Sequence, residues 1–492
     1  MNTSEFVTAP HPVPQKTSPG YYVLLGLVTL FLLLPVLSVH YVPLVDYPNH
    51  VARIYILHGY DTVPAYQQDY RVHFLPVPNL AMDLVLPPFT KYFSPPASAK
   101  LFLAMIILLF VWGAHALGEA VHGRPSWIAI LCAFFVYNSQ FLYGYVNYVF
   151  GLGVFCLAFA CWLRWRASWT PLRLLVLTLL SLASYISHLT SFGFIGVCLV
   201  VTTAYDFIQE GKSSRNVALS LLPLAPSVLV ALFYGRASQG VGPTEWLLSP
   251  KLMGWAALLA SYDHLLDWIL AAMVVVLLLT LGLRTRWKLH RPIFASGVVL
   301  FLLFLVLPAN YAGTAYVDMR MIPSAFLLCV ISLQVEAQQR LAQLVFVAML
   351  AIFVVRMADI WIAWKKIDPE IDKQIAAFRM FPESARVLPV FPTAAMKISK
   401  EERALEHVIL YSTVYEHTYV PTLFAFWQQP VAFRTPPVKV LNKNALSRYD
   451  FVWSYKPPQA ALALLQSSCR PLWMNDGFVI WQVQHPAANS GE

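Results

Sequence analysis

The chain has 492 residues, of which 58% are hydrophobic and only 12% charged, with 15 Trp, 24 Tyr and a formal net charge of +9. Its mean hydropathy is +0.59, more apolar surface than a water-soluble fold can hide, and its apolar runs of roughly 17–25 residues have the length that crosses a bilayer. A soluble enzyme is excluded, and so is nucleic acid as a partner, because the excess basic residues sit in short loops between apolar runs, where they report topology.

Residues 1–20 are polar and Pro-rich and read as a cytoplasmic tail. The apolar run that follows is longer than a signal-peptide core and has no small-residue cleavage site, so it reads as a retained anchor. Eleven spans are expected, at 22–40, 99–119, 127–143, 146–163, 171–187, 189–206, 218–234, 266–283, 293–309, 321–335 and 341–358. With the N-terminus inside, the clusters Arg164, Arg166, Arg173, then Lys212, Arg215, then Arg284, Arg286, Lys288, Arg291 all fall in the cytoplasm. The loops 41–98, 235–265 and 310–320 and the tail from about 360 then lie outside. The near-continuous stretches at Tyr143–Asn147 and Ser187–His188 are each divided into two helices. One helix over 171–206 would put two basic clusters on opposite sides, against the charge rule.

Within the first outer loop, Pro48 can begin a helix, and Val51, Ile54, Tyr55 and His58 recur at helical spacing. Residues 49–60 are expected as an amphipathic helix lying on the membrane surface, and 79–86 as a second, short helix ended by Pro87-Pro88. Beyond the last span, β-prone runs at 387–391, 451–454 and 478–483 alternate with helical patterns at 400–415 and 459–467. That gives an all-α polytopic bundle over 21–358 and a small extracytoplasmic α/β domain over 359–492. Five of the six Cys lie in apolar runs and Cys469 is alone, so no disulfide framework is legible. No internal repeat is evident.

The residue that bears most on chemistry is Asp46, just past the first span. A carboxylate at a membrane edge is costly to keep ionised and is a functional candidate by default. Asn49 and Arg53 share a helical face beyond it, and His50 is adjacent. The plain alternative makes Asp46 a helix cap. Asp69 and Arg71 offer a second acid and base in the same loop, more often a solvated pair, and Asp83 is a weaker case. His188 falls between two short spans on the face of Asp46, as a phosphate or hydroxyl contact or as an interhelical hydrogen-bonder. Arg320 precedes the span at Met321. Its planar fork suits a lipid-linked phosphate, and its alternative is a pair with Asp318. The cluster Tyr137, Asn138, Gln140, Tyr143, Tyr145, Asn147, Tyr148 and the tail stretch 422–430 are ambiguous hints of sugar or headgroup binding. No metal-ligand spacing, nucleophile elbow, phosphate-cradling Gly loop or dinucleotide fingerprint is present. No cofactor is expected, with a divalent metal left open, and the donor is not a soluble nucleotide sugar.

Val42-Pro43-Leu44-Val45-Asp46-Tyr47-Pro48-Asn49-His50-Val51-Ala52-Arg53, with the order of one span, a long outer loop opening with an acid, further spans and a soluble tail, resembles the GT-C glycosyltransferases, integral membrane enzymes that use polyprenyl-phosphate-linked sugars. The resemblance covers the plan of nearly the whole chain and matches an uncharacterised bacterial subgroup. It implies the bacterial inner membrane with the site and tail on the periplasmic side, membrane lipid as surroundings, and a glycan, lipid or protein acceptor. It also implies inverting transfer with Asp46 as general base and Arg320, Arg53 and His188 toward the departing phosphate. Many members carry two adjacent acids here, whereas Asp46 is followed by Tyr47, which brings forward Asp69 or His50 as substitutes. A lipid-linked polysaccharide polymerase or ligase is the rival enzyme reading. A lipid or solute transporter is the rival from another class, and it fits less well because the ionisable candidates gather at one surface and not at the midplane.

Overall fold

A computed structural model describes residues 19–234, 242–284, 286–336, 339–392, 398–426, 428–438 and 440–485. Of residues 1–20, expected as a polar tail, the first eighteen lie outside the described residues and Pro19 and Gly20 belong to the first helix.

Among the described residues, six helices are long and apolar enough to cross a membrane: Pro19–Ser38, Pro95–His122, Val146–Trp165, Leu189–Gln209, Ser214–Tyr234 and Arg340–Phe378. Five shorter apolar segments, Trp127–Leu142, Pro171–Ser187, His264–Thr280, Arg291–Val306 and Met321–Ile331, complete the set. These fall on the expected spans. Where nothing packs against them their Leu side chains point outward, as Leu27 (58% exposed) and Leu30 (62%) do on the first helix, the sign of a lipid-facing surface.

Both divided stretches are divided in the structure. His188 is extended (φ −167, ψ 134) and separates Pro171–Ser187 from Leu189–Glu210. The chain therefore turns back, and the basic clusters meet at one end: Arg166 and Lys212 both bind Asp206, at 2.7 and 2.5 Å. Arg164 reaches Glu119 at 2.6 Å, and Tyr21, early in the first helix, bonds His115 at 3.0 Å, which puts the start of the chain at that same end. The long first loop and the tail occupy the other.

Small residues let the central helices approach. A Cβ on Gly113 would lie 2.8 Å from the Gly153 carbonyl, and one on Gly151 2.8 Å from Ser191 Cβ. Such close backbone approach replaces the hydrophobic effect as the source of packing inside a bilayer. Arg356, fully buried, donates to the carbonyls of Leu259, Ala260, Phe134 and Tyr137. These carbonyls lie where short helical pieces break, so one permanent cation satisfies several broken-helix acceptors.

Three expectations need correction. The last helix does not stop with the apolar run at 358 but continues from Gln339 to Phe378, through Pro369. Its buried stripe narrows to Ile360, Ala363, Trp364, Ile367 and Ile371 without ending. The span expected to reach 335 ends at Ile331, because Leu333–Glu336 pairs as a strand with Arg286–Leu289. The helix after Asp46, Tyr47–Gly59, does not lie on a membrane surface, since ten of its thirteen residues are buried. It is roofed by the tail: Asn49 accepts from the Phe424 N–H at 3.0 Å and the helix Leu410–Tyr415 packs on it, while farther along the loop Tyr66 donates to Thr413 O at 2.6 Å and strand Tyr70–Val72 pairs antiparallel with Val431–Phe433.

The tail carries the three expected strands and one more in a four-stranded sheet. Val387–Val390 runs parallel to Phe451–Tyr455, which is antiparallel to Phe478–Val483, which is antiparallel to Cys469–Asn475. The helical pattern at 400–415 is two pieces, Lys400–Arg403 and Leu410–Tyr415, joined by turns.

Candidate functional site

Asp46 is positioned by the turn opposite it. Asn138 caps the short helix Ser139–Leu142, its Oδ1 accepting from the Gln140 and Phe141 N–H groups at 2.9 and 3.2 Å. After that helix the chain reverses at Gly144 with φ +88. A Cβ there would lie 2.8 Å from Tyr47 N and 2.9 Å from Asp46 N, so only Gly allows the contact. The Asp46 N–H then donates to Tyr143 O at 2.9 Å. Asp46 stands at the N-cap position of Tyr47–Gly59, yet its side chain makes no capping hydrogen bond. The carboxylate instead lines a cavity of about 720 Å³, a volume suited to one small ligand.

Six parts of the chain build that cavity. The helix after Asp46 contributes His50 and Arg53, and the loop beyond it Pro78 and Asn79. Tyr145 and Tyr148 open the Val146 helix, and His188, Leu189 and Thr190 sit at the break between two spans. Arg320 comes with the hairpin 311–317, and Phe424, Phe426, Gln428 and Gln429 come from the tail. Burial pushes the Asp46 carboxyl up to about 7; Glu406 pushes it in the same direction and Arg320 opposes both. Arg320 lies 5.0 Å over the Tyr145 ring and donates to Ala315 O at 3.1 Å, while its buried Nε finds no acceptor. No carboxylate among the described residues lies within ion-pair distance of it: Asp318 pairs instead with Lys251, at 2.6 Å.

The two cavity histidines have defined tautomers when neutral. His188 Nδ1 accepts from the Thr190 N–H at 3.1 Å, which leaves the proton on Nε2. His50 Nδ1 faces Arg53 at 3.3 Å, and burial and that guanidinium hold the His50 ring neutral by lowering its pKa. Arg53 itself is matched by Asp83 in a bidentate pair of 2.5 and 2.6 Å with both side chains buried, so its charge is neutralised within the protein.

Other candidates fall elsewhere. Asn49 is fully buried and does not line the cavity; its Oδ1 accepts from the Phe424 N–H at 3.0 Å. Asp69 pairs with Arg386 of the tail at 3.0 Å, and Arg71 is exposed on its strand; neither lines the cavity. Of the aromatic and amide cluster, Tyr145 and Tyr148 face the cavity, whereas Tyr137 donates to Leu32 O at 2.7 Å and Asn147 accepts from Met82 N at 2.8 Å as fixtures of the fold. Trp427, in the tail stretch 422–430, lies outside the described residues. From the same stretch Phe424, Phe426, Gln428 and Gln429 line the cavity. One residue that spacing gave no reason to single out is also here: His407, from the tail turn, places Nε2 3.5 Å from Asp46 Oδ1. Among the described residues no three His, Cys, Asp or Glu side chains converge as metal ligands.

No family profile matches the sequence, and no curated protein matches it. Among solved structures the chain pairs with the crystal structure of ArnT from Cupriavidus metallidurans in the apo state, at a TM-score of 0.49 and 12% identity, over 94% of this chain and 97% of that one.

Proposed function

We propose that this protein is an integral membrane glycosyltransferase that moves a sugar from a polyprenyl-phosphate donor to a glycan, lipid or protein acceptor, with inversion. The observation that carries the reading is one cavity, at one end of an apolar bundle, in which an acid without a capping role faces an arginine that has no acidic partner among the described residues. A base and a phosphate-binding cation are the two charges that such a transfer needs. Asp46 takes the proton of the acceptor hydroxyl as that oxygen attacks the anomeric carbon. The bond from that carbon to the phosphate oxygen breaks, and the lipid phosphate leaves with the electron pair. Arg320 and the Nε2–H of His188 are the donors that meet the charge developing on the phosphate. Arg53, matched by Asp83, orients His50 and supplies no free charge. The resemblance to the GT-C enzymes implies that the cavity opens on the periplasmic face of the bacterial inner membrane. A transporter is disfavoured because the candidate acid and cations gather at one end of the bundle.

The test is an assay of purified protein with a panel of polyprenyl-phosphate sugars, comparing the native chain with Asp46→Asn. Transfer by the native protein and none by a folded variant is expected. A native protein inert toward the whole panel, or a variant with near-native turnover, contradicts the proposal.

A further inference from the structure

We propose that His407, delivered by the C-terminal region, is the positioning residue of the Asp46 carboxylate, holding one oxygen so that the other faces the cavity. The inference rests on the reading of Asp46 as base, and it adds that the base is complete only when the tail is docked. His407 Nε2 lies 3.5 Å from Asp46 Oδ1, and both side chains are nearly enclosed, 15% and 16% exposed.

The turn that carries His407 is anchored on both sides by contacts that cross between the tail and the rest of the protein. On its N-terminal side, Ser399 and Glu402 form a capping box, and Lys400 reaches Ser261 O at 2.6 Å and Asp267 at 3.0 Å in the bundle. On its other side, Val408, Ile409 and Leu410 are buried, and the helix Leu410–Tyr415 packs on the helix Tyr47–Gly59. Phe424 stands edge-on to both His407 and His50, at 5.7 and 6.4 Å between ring centres, and its N–H is fixed by Asn49. A histidine that merely filled space would not need two latches aiming it at an acid that stands at an N-cap position without capping it.

The charged and titratable groups that face this pair are Glu406 and Arg403 from the tail, which bind each other at 2.9 Å, Arg320 and Tyr145 across the cavity, and His50 beside Phe424. Burial, the largest influence, and Arg403 keep the His407 ring neutral, with Glu406 opposing. At 3.5 Å the two groups are within ion-pair reach and not yet hydrogen-bonded; in this proposal a neutral ring with its proton on Nε2 closes that gap as the carboxyl ionises, donates to it and favours that form. The proton from the acceptor then goes to the second oxygen, which the histidine does not cover.

The experiment follows the protonated-carboxyl infrared band of Asp46, assigned by its loss in Asp46→Asn, through a pH titration of the full-length protein. In the native chain it disappears through about pH 7. In His407→Ala, and in His407→Leu, which fills the space without a donor, the midpoint rises by about one pH unit, because the ionised form has lost its N–H donor. In His407→Gln, which keeps a donor, it returns most of the way. With polyprenyl-phosphate sugars as donors, kcat falls by about tenfold or more in Ala and Leu, with KM little changed. An Asp46 midpoint identical in the native chain and both donor-less variants overturns the proposal. A native protein that transfers no sugar would overturn the glycosyltransferase reading alone, since the titration judges His407 without turnover.

Discussion

Asp46 and Asp83 belong to the same loop and are both enclosed, yet only one of them is matched. Asp83 receives two guanidinium hydrogen bonds from Arg53 and is fully buried, an ion pair that neutralises itself and ties the 81–85 helix to the one after Asp46. Asp46 has a glycine behind it, a histidine at 3.5 Å and a cavity in front. The contrast repeats among the arginines: Arg356 is saturated by carbonyls, whereas Arg320 keeps a donor without an acceptor. Burial alone therefore does not separate scaffold from chemistry; the separation comes from whether the partners cancel the charge.

Substituting the two acids breaks this comparison most sharply. Asp46→Asn is expected to lower turnover by about 10²–10⁴-fold, the contribution of a positioned base, with the fold retained, as checked by steady-state transfer and size-exclusion chromatography. Asp83→Asn is expected to do the reverse, costing about 3–5 kcal/mol of stability by leaving Arg53 buried and unpaired. Replacing both partners by apolar residues of similar volume should recover most of that loss in a thermal unfolding series in detergent.

The pH dependence of stability sharpens the contrast. The Asp46 pKa is raised in the folded chain, from 3.8 to about 7, so its contribution is fully present below pH 3.8 and is lost as pH rises through about 7. At about 1.36 kcal/mol per unit, the ionised acid costs the fold up to about 4 kcal/mol above that range. Asp46→Asn should therefore raise the unfolding temperature above neutrality and flatten its pH slope. An unchanged slope would mean that the carboxylate is better solvated than its surroundings indicate.

Gly144→Ala probes the scaffold behind the acid. Strain of about 1–3 kcal/mol is expected at its positive φ, with kcat reduced more than binding, because the added Cβ meets the backbone of Asp46 and Tyr47. Smallest of all is Asp69→Asn, whose partner Arg386 is partly exposed. It should cost less than about 1 kcal/mol and leave transfer intact.

These contrasts also mark what the sequence could disclose. The helical segments were legible because each apolar run has bilayer length, and the break at His188 was legible because the basic loops on either side demanded it. Asp46 was legible because an acid at the edge of an apolar run is rare. The burial of the helix after it was not, since its cover is the tail some 370 residues away and an amphipathic pattern looks the same under lipid or under protein. Nor could spacing reveal that Arg53 belongs to Asp83 and not to a ligand, or that Asp69 serves the tail. His407 carried no local signal: it lies in a pattern that reads as continuous helix, and only the turn between Arg403 and Leu410 aims it.

The most direct test of Asp46 as the proton acceptor is the pH dependence of kcat/KM for sugar transfer by the native chain. The geometry predicts a rate that climbs with pH and levels off near 7, the point at which this carboxyl ionises, with no such limb in the residual activity of Asp46→Asn. A native profile that is flat through that range, or a variant that reproduces it, would contradict the assignment.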